Sequence, residues 1–446
     1  MLMLRLLSAL LVGVLLSACV SDRAFQAGPA QTASAPVDLA DDGKYVLAHV
    51  EFDDQGWFHD VRQRQALFDR LQALRAANQA MLIVTYTHGW KHNASEGNGN
   101  LLEFRKLLSQ LHKVEAAAKR EKGPRTVVGV YIGWRGASLS IPFLDNITFW
   151  TRKNAAERVG TRSVKQLFIE LNQFRMLANK WDTPDQLAGS DETQLIFVGH
   201  SFGGLVTYHA LYSEMLERGL QVNPEGNYRV AKSFGDFVLL VNPAFEGSAY
   251  EPIWQAAQLR ACYPSWQKPV MAIITSSADW ATRYAFPAGR LYTLGQSATL
   301  PGERATVMHT VGHLERYRTH RIVTGPPAAD EPRPLPEDAA QAAAPAQANA
   351  RAVTTIGDYR LIKTESAAPA RMPYLVIQAG PELIADHNDF WNDRFRAFTV
   401  GFIANQILSQ QDWTPRESEG GAPAGEACAA FGSGAATVSP VTPHTR

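Results

Sequence analysis

An α/β fold, with a mostly parallel central sheet and helices on both faces, is predicted by three features of the chain. Short runs rich in Val, Ile, Leu and Tyr recur at 46–52, 81–87, 126–134, 194–198, 237–241, 270–275 and 374–378. They lack the polar alternation of a strand with one wet face, so they suit strands buried on both sides. Helix-periodic stretches lie between them, for example at 62–77, 101–120, 163–179 and 205–218. The third feature is bulk: 446 residues at 46% hydrophobic content supply a sizeable core.

Composition narrows the function classes. Lys+Arg and Asp+Glu both number 43, giving a formal net charge of +0 and no basic excess for a nucleic-acid partner. Three cysteines cannot build a four-cysteine zinc site or a disulfide scaffold. No Walker-type glycine loop is present, which argues against phosphoryl transfer from a nucleotide. No cofactor is predicted.

The first residues read as a targeting segment. Arg5 precedes an apolar run over 6–16, too short to span a bilayer, that ends in small residues. Leu16-Ser17-Ala18-Cys19 resembles the lipobox of bacterial lipoproteins. That resemblance implies cleavage before Cys19, acylation of Cys19, and a membrane partner reached through the lipid. The alternative is an ordinary secretory signal with an incidental cysteine. Val20 and Ser21 lack the aspartate associated with inner-membrane retention, which favours the outer membrane of a bacterial envelope. Residues 1–18 are thus expected as signal peptide and 19–42 as a flexible tether. Residues 43–413 form the expected domain, with a Pro/Ala-rich insertion at 327–352 and a disordered tail over 414–446. In an oxidising compartment Cys262 and Cys428 either pair or remain thiols.

The sharpest local signal is Gly199-His200-Ser201-Phe202-Gly203, set between the 194–198 run and an apolar helical stretch. Strand, G-x-S-x-G, helix is the pattern that puts a serine hydroxyl on a tight turn above a sheet. Gly199 and Gly203 leave room for the turn, and the helix dipole lies behind Ser201. The bland alternative is a glycine-rich turn with a solvated serine.

With these flanks the chain resembles the α/β-hydrolase superfamily of serine esterases and lipases over roughly 43–413. The His88-Gly89-Trp90-Lys91-His92-Asn93 and Gly133-Trp134-Arg135-Gly136 segments are similar to bacterial members of poorly defined esterase-like function. The resemblance implies an oxyanion hole from the N–H groups of Phe202 and Trp90, with His88 and Gly89 shaping the loop. It implies an acid after the second strand beyond the elbow and a histidine after the last strand. Asp279 and His387 stand there, with Glu246 as rival acid and a helix N-cap as the plain reading of Asp279.

Other histidines compete with His387. His88 and His92 are four apart, but no third ligand is near, so no metal is expected. His309 and His313 have zincin spacing, yet Thr310 replaces the required glutamate. They and His320 are expected between the last two strands. The apolar 137–151 segment reads as a lid or acyl wall, or as ordinary packing. The expected function is a membrane-anchored serine hydrolase acting on a hydrophobic carboxylic ester. An acyltransferase, a thioesterase or a non-catalytic binding lipoprotein is the alternative.

Overall fold

The computed structural model describes residues 22–26, 37–40, 43–118, 120–137, 149–181, 192–222, 231, 233–259, 263, 267–291, 302–325, 353–364, 369 and 372–404. Cys19 and the signal peptide, residues 138–148, Cys262, Cys428, the 327–352 insertion and the C-terminal tail lie outside them. The chain divides into two compact units, Met1–Leu211 and Tyr212–Arg446.

The first unit runs β1 (Val37–Ala40), β2 (Tyr45–Phe52), α1 (Val61–Ala76), β3 (Met81–Thr87), α2 (Gly99–Ala117), β4 (Thr126–Trp134), α3 (Phe149–Thr161), α4 (Ser163–Asn179) and β5 (Gln194–His200). α5 (Phe202–Leu220) follows and continues past Leu211. The strand order is β1-β2-β4-β3-β5. β2, β4, β3 and β5 pair in parallel, and β1 runs antiparallel to β2. β2, β3 and β5 are buried along their whole length. That accounts for their unbroken apolar sequence, since both sheet faces are dry. Phe52 pairs with Trp134 and Thr87 with Gly199, so the parallel strands finish along a common edge. Asp60 starts α1 by accepting from the Arg62 N–H, and Leu67, Leu71 and Leu74 form its buried stripe.

One buried charge cluster braces this unit. The Glu115 carboxylate, at the end of α2, takes Arg125 at 2.6 Å and Arg120 at 3.0 Å, with all three side chains at most 5% exposed. The two guanidinium groups outweigh the burial that would otherwise raise Glu115, and hold it below its usual value.

Two stretches of the expected tether take defined positions. β1 adds a strand to the sheet edge, and residues 22–26 hydrogen-bond to β2 and the loops beyond it.

The second unit carries β6 (Phe237–Val241), α6 (Gly247–Gln258), β7 (Met271–Ser276), a π-helical turn (Ala281–Ala285), α7 (Phe286–Arg290), α8 (Arg304–Met308), β8 (His320–Thr324), β9 (Val353–Ile356), β10 (Tyr359–Lys363), β11 (Tyr374–Ala379) and α9 (Asp393–Phe402). The order is β6-β7-β11-β8-β10-β9. β6, β7, β11 and β8 pair in parallel, whereas β10 runs antiparallel to both β8 and β9. The segment expected to hold only histidines and an insertion between β7 and β11 therefore contributes three strands. The protein is an α/β protein with mostly parallel strands.

Candidate active site

β5 delivers His200 to the strand end, and α5 begins at Phe202, leaving one residue to reverse the chain. That residue is Ser201, at φ +55 and 4% exposed. A non-glycine residue in the left-handed region costs energy and persists only where its surroundings impose it. Gly203 supplies the imposition: a Cβ there would lie 2.0 Å from the Thr87 carbonyl oxygen, so the helix start packs against the backbone at the end of β3. At Gly199 a Cβ would meet the Gly203 carbonyl at 2.6 Å.

The loop after β3 packs on the same elbow. A Cβ on Gly89 would sit 3.0 Å from the Ser201 Cβ and from His200 Nδ1. His88 holds this loop with both ring nitrogens. The Trp134 N–H donates to Nε2 at 3.1 Å, and Nδ1–H donates to the Gly89 carbonyl at 2.9 Å. The Trp134 indole N–H also reaches the His88 carbonyl at 2.9 Å, and the rings stack 5.6 Å apart. Burial pulls the His88 imidazole from 6.5 down to about 3, so it is neutral and fixed as one tautomer. Neither nitrogen keeps a lone pair for a metal. His92 instead meets the Asn98 and Asn100 side chains.

Beyond Gly89 the loop turns through Lys91 at φ +67 and is tied to Gly136 by two backbone hydrogen bonds. The Trp90 N–H makes no hydrogen bond among the described residues. The Phe202 N–H, in the first turn of α5, has no acceptor within its own helix. Phe149 of α3 packs on both rings, 5.4 Å from Trp90 and 4.8 Å from Phe202. At the described end of the 137–151 segment, Phe149 thus packs on the two residues expected to supply the oxyanion hole.

In the second unit Asp279 and His387 are hydrogen-bonded, Oδ2 to Nδ1 at 2.9 Å. Asp279 is fully buried, whereas the His387 side chain is 18% exposed. Burial alone would raise the Asp279 carboxyl. His387 and Thr282 outweigh it and hold the group below the usual carboxylate range. Asp279 is also the helix cap: Oδ1 accepts from the Thr282 N–H at 3.1 Å and Oδ2 from the Thr282 hydroxyl. The helix-cap reading of this residue is met, and the same side chain bonds His387. The run after it presents Trp280 and Tyr284 to solvent.

Glu246, the rival acid, forms an ion pair with Arg290 at 3.1 Å. His309 bonds the Ala305 carbonyl, and His320 opens β8 against Thr319. His313 does join the acid. Its Nε2 lies 2.9 Å from the Thr282 hydroxyl, which donates onward to Asp279. Burial lowers it to about 4, so the neutral ring donates to Thr282.

Sequence reasoning passed over three further residues here. Asn242, at φ +44 just beyond β6, donates to the His387 carbonyl at 3.0 Å and accepts from the Ser276 N–H at 2.9 Å. The Ser276 hydroxyl donates to the Ile384 carbonyl at 2.6 Å, and Thr282 steadies the acid. The Asn-Pro pair after the β6 run was the available signal for Asn242. Asp386 and Asp389 accept backbone N–H groups within the His387 loop.

No protein-family model matches the chain, and no curated protein matches it.

Proposed function

We propose that this protein is a lipid-anchored serine hydrolase of the α/β-hydrolase type that cleaves carboxylic esters. The observation that carries the reading is the left-handed Ser201 between β5 and α5, clamped by Gly203 on one side and Gly89 on the other. A strained serine pinned at a strand–helix junction is the arrangement a nucleophile elbow requires.

In this reading Ser201 attacks the ester carbonyl while His387 accepts its proton. Asp279 holds the imidazole by Nδ1 and stabilises the imidazolium that forms. The Trp90 and Phe202 N–H groups take the oxyanion, an interaction worth on the order of 3 kcal/mol per donor in the transition state. The protonated His387 hands its proton to the leaving alkoxide, and water deacylates the serine by the reverse route. The half-buried rings of Trp90 and Phe149 suit an apolar acyl or alcohol group. Acylation at Cys19 supplies the anchor, and the bacterial outer membrane is its proposed site.

Labelling with a fluorophosphonate, followed by mass spectrometry of the modified peptide, tests the assignment. Modification of Ser201 alone, lost in Ser201→Ala, is expected. An unreactive protein, or a label on another residue, refutes it.

A further inference from the structure

Residues 22–26 are seated on the first unit, and the seat is built for them. Glu51, near the end of β2, is 2% exposed. Its carboxylate accepts from the Phe25 and Gln26 backbone N–H groups, each at 2.8 Å, and from the Gln63 side chain at 2.9 Å. Withdrawing the segment would leave a buried carboxylate short of two donors, a costly state. Asp22 accepts from the Asp54 N–H and pairs with His59 at 3.0 Å, and the Gln26 amide donates to the Ala94 carbonyl at 2.8 Å.

The position of this seat matters. Glu51 pairs in register with Gly133, on the strand beside β3, and Ala94 belongs to the loop that begins at His88. The seat therefore lies at the same C-terminal strand edge as Ser201. Three strand spacings separate β2 from β5, about 14 Å. Cys19 precedes Asp22 by three residues, a reach of at most about 11 Å. The loop that receives Asp22 also displays Trp57 at 56% exposure, Val61 at the start of α1 follows at 63%, and the Arg162 guanidinium lies 5.4 Å from the Trp57 ring. An exposed tryptophan beside arginine suits a headgroup layer, where one end of the side chain is apolar and the other wet.

We propose that this strand edge lies against the lipid surface holding Cys19, and that the ester cleaved at Ser201 resides in that surface. This rests on the anchor and the hydrolase read above. A lead of three residues from Cys19 to the seated 22–26 segment keeps the Ser201 edge close to the bilayer, where an amphiphilic ester presents its carbonyl.

The test uses the full-length lipidated protein in vesicles of phosphatidylethanolamine and phosphatidylglycerol. In a Cys262→Ser, Cys428→Ser background a fluorophore is placed at Glu96→Cys, on the site edge, or at Lys122→Cys, in the turn before β4. Quenching by a headgroup nitroxide lipid is expected to be several-fold stronger at position 96. Inserting a 20-residue Gly/Ser spacer between Val20 and Ser21, with a reach of about 25 Å, should abolish that difference. The spacer should lower hydrolysis of a fluorogenic diacyl phospholipid in the vesicle about tenfold through lost effective concentration. Hydrolysis of a soluble p-nitrophenyl ester should stay unchanged. Equal quenching at both positions overturns the orientation, whether or not Ser201 takes a fluorophosphonate. Equal slowing of both esters by the spacer overturns the membrane-resident substrate. A serine that takes no fluorophosphonate removes the hydrolase reading and its substrate, and the quenching pattern still decides the orientation.

Discussion

Thr282 grips Asp279 twice, through its backbone N–H to Oδ1 and through its hydroxyl to Oδ2, the same oxygen that meets His387. The acid is therefore held in one rotamer before its histidine is considered, and the carboxylate plane is fixed relative to the imidazole. Thr282→Val keeps the shape and removes the hydroxyl. Its kcat/KM on a short-chain p-nitrophenyl ester is expected to fall about tenfold, or roughly 1.4 kcal/mol of transition-state stabilisation. Thr282→Ser should restore it, and Asp279→Asn should cost considerably more. A Thr282→Val variant at wild-type rate would show that the acid needs no such grip.

Stability should fall on mild acidification. Burial lowers His49 to about 4 and His88 to about 3, from an ordinary 6.5. The unfolded chain takes up protons at both as pH drops below about 6.5, and the folded chain does not, so stability rises with pH between about 4 and 6.5. Each imidazole contributes up to roughly 1.4 kcal/mol per pH unit. Urea denaturation at pH 5 and pH 7 reads the difference, and His49→Phe should flatten the slope. Identical midpoints at both pH values would count against neutral, buried rings.

Gly203→Ala should be among the most damaging single-methyl changes, because its Cβ would fall 2.0 Å from the Thr87 carbonyl. Overpacking against backbone that cannot yield costs about 3 kcal/mol. Gly97→Ala meets nothing within 4 Å and should stay within about 0.5 kcal/mol of wild type. Thermal melts of the two variants provide the comparison, and similar melting temperatures would show that the elbow relaxes.

Arg125→Met strips the closer of the two guanidinium groups from Glu115, a carboxylate that is itself fully buried. Breaking a buried pair from one side costs about 3 kcal/mol, chiefly through the charge left behind. Chemical denaturation measures it. The double change Arg125→Met, Glu115→Leu should recover part of the loss, and no recovery would place the cost in packing instead.

Legibility from sequence tracked burial. The 81–87, 126–134 and 237–241 runs coincide with β3, β4 and β6, and the other expected strands are off by one or two residues at an end. All are strands whose both faces are dry, and continuous apolar sequence marks such strands. β8 buries only its central Ile322, and β1, β9 and β10 are short. Their sequence carries too little apolar signal to separate them from loop. At the candidate site, the Ser201 turn was legible because it demands glycines at fixed offsets, and the Asp279–His387 pair because each residue follows a readable strand. Asn242, Ser276, Thr282 and His313 act through hydrogen bonds that follow from tertiary placement, and no spacing rule announces such contacts.

The interlock of Gly89, Ser201 and Gly203 with the Thr87 carbonyl has a consequence for how this scaffold can diversify. The Ser201 turn and the loop beside it approach so closely that a Cβ at Gly203 would overlap backbone and one at Gly89 would crowd Ser201, so neither is readily rebuilt without the other. Variation in substrate range, by natural drift or laboratory evolution, would have to enter elsewhere. Phe149 is the position to vary: it belongs to a different helix, and its ring packs on both Trp90 and Phe202. A library confined to Phe149 and Trp150 should therefore yield altered chain-length preference at undiminished folding yield, whereas one spread over residues 87–89 and 199–203 should return mostly insoluble protein.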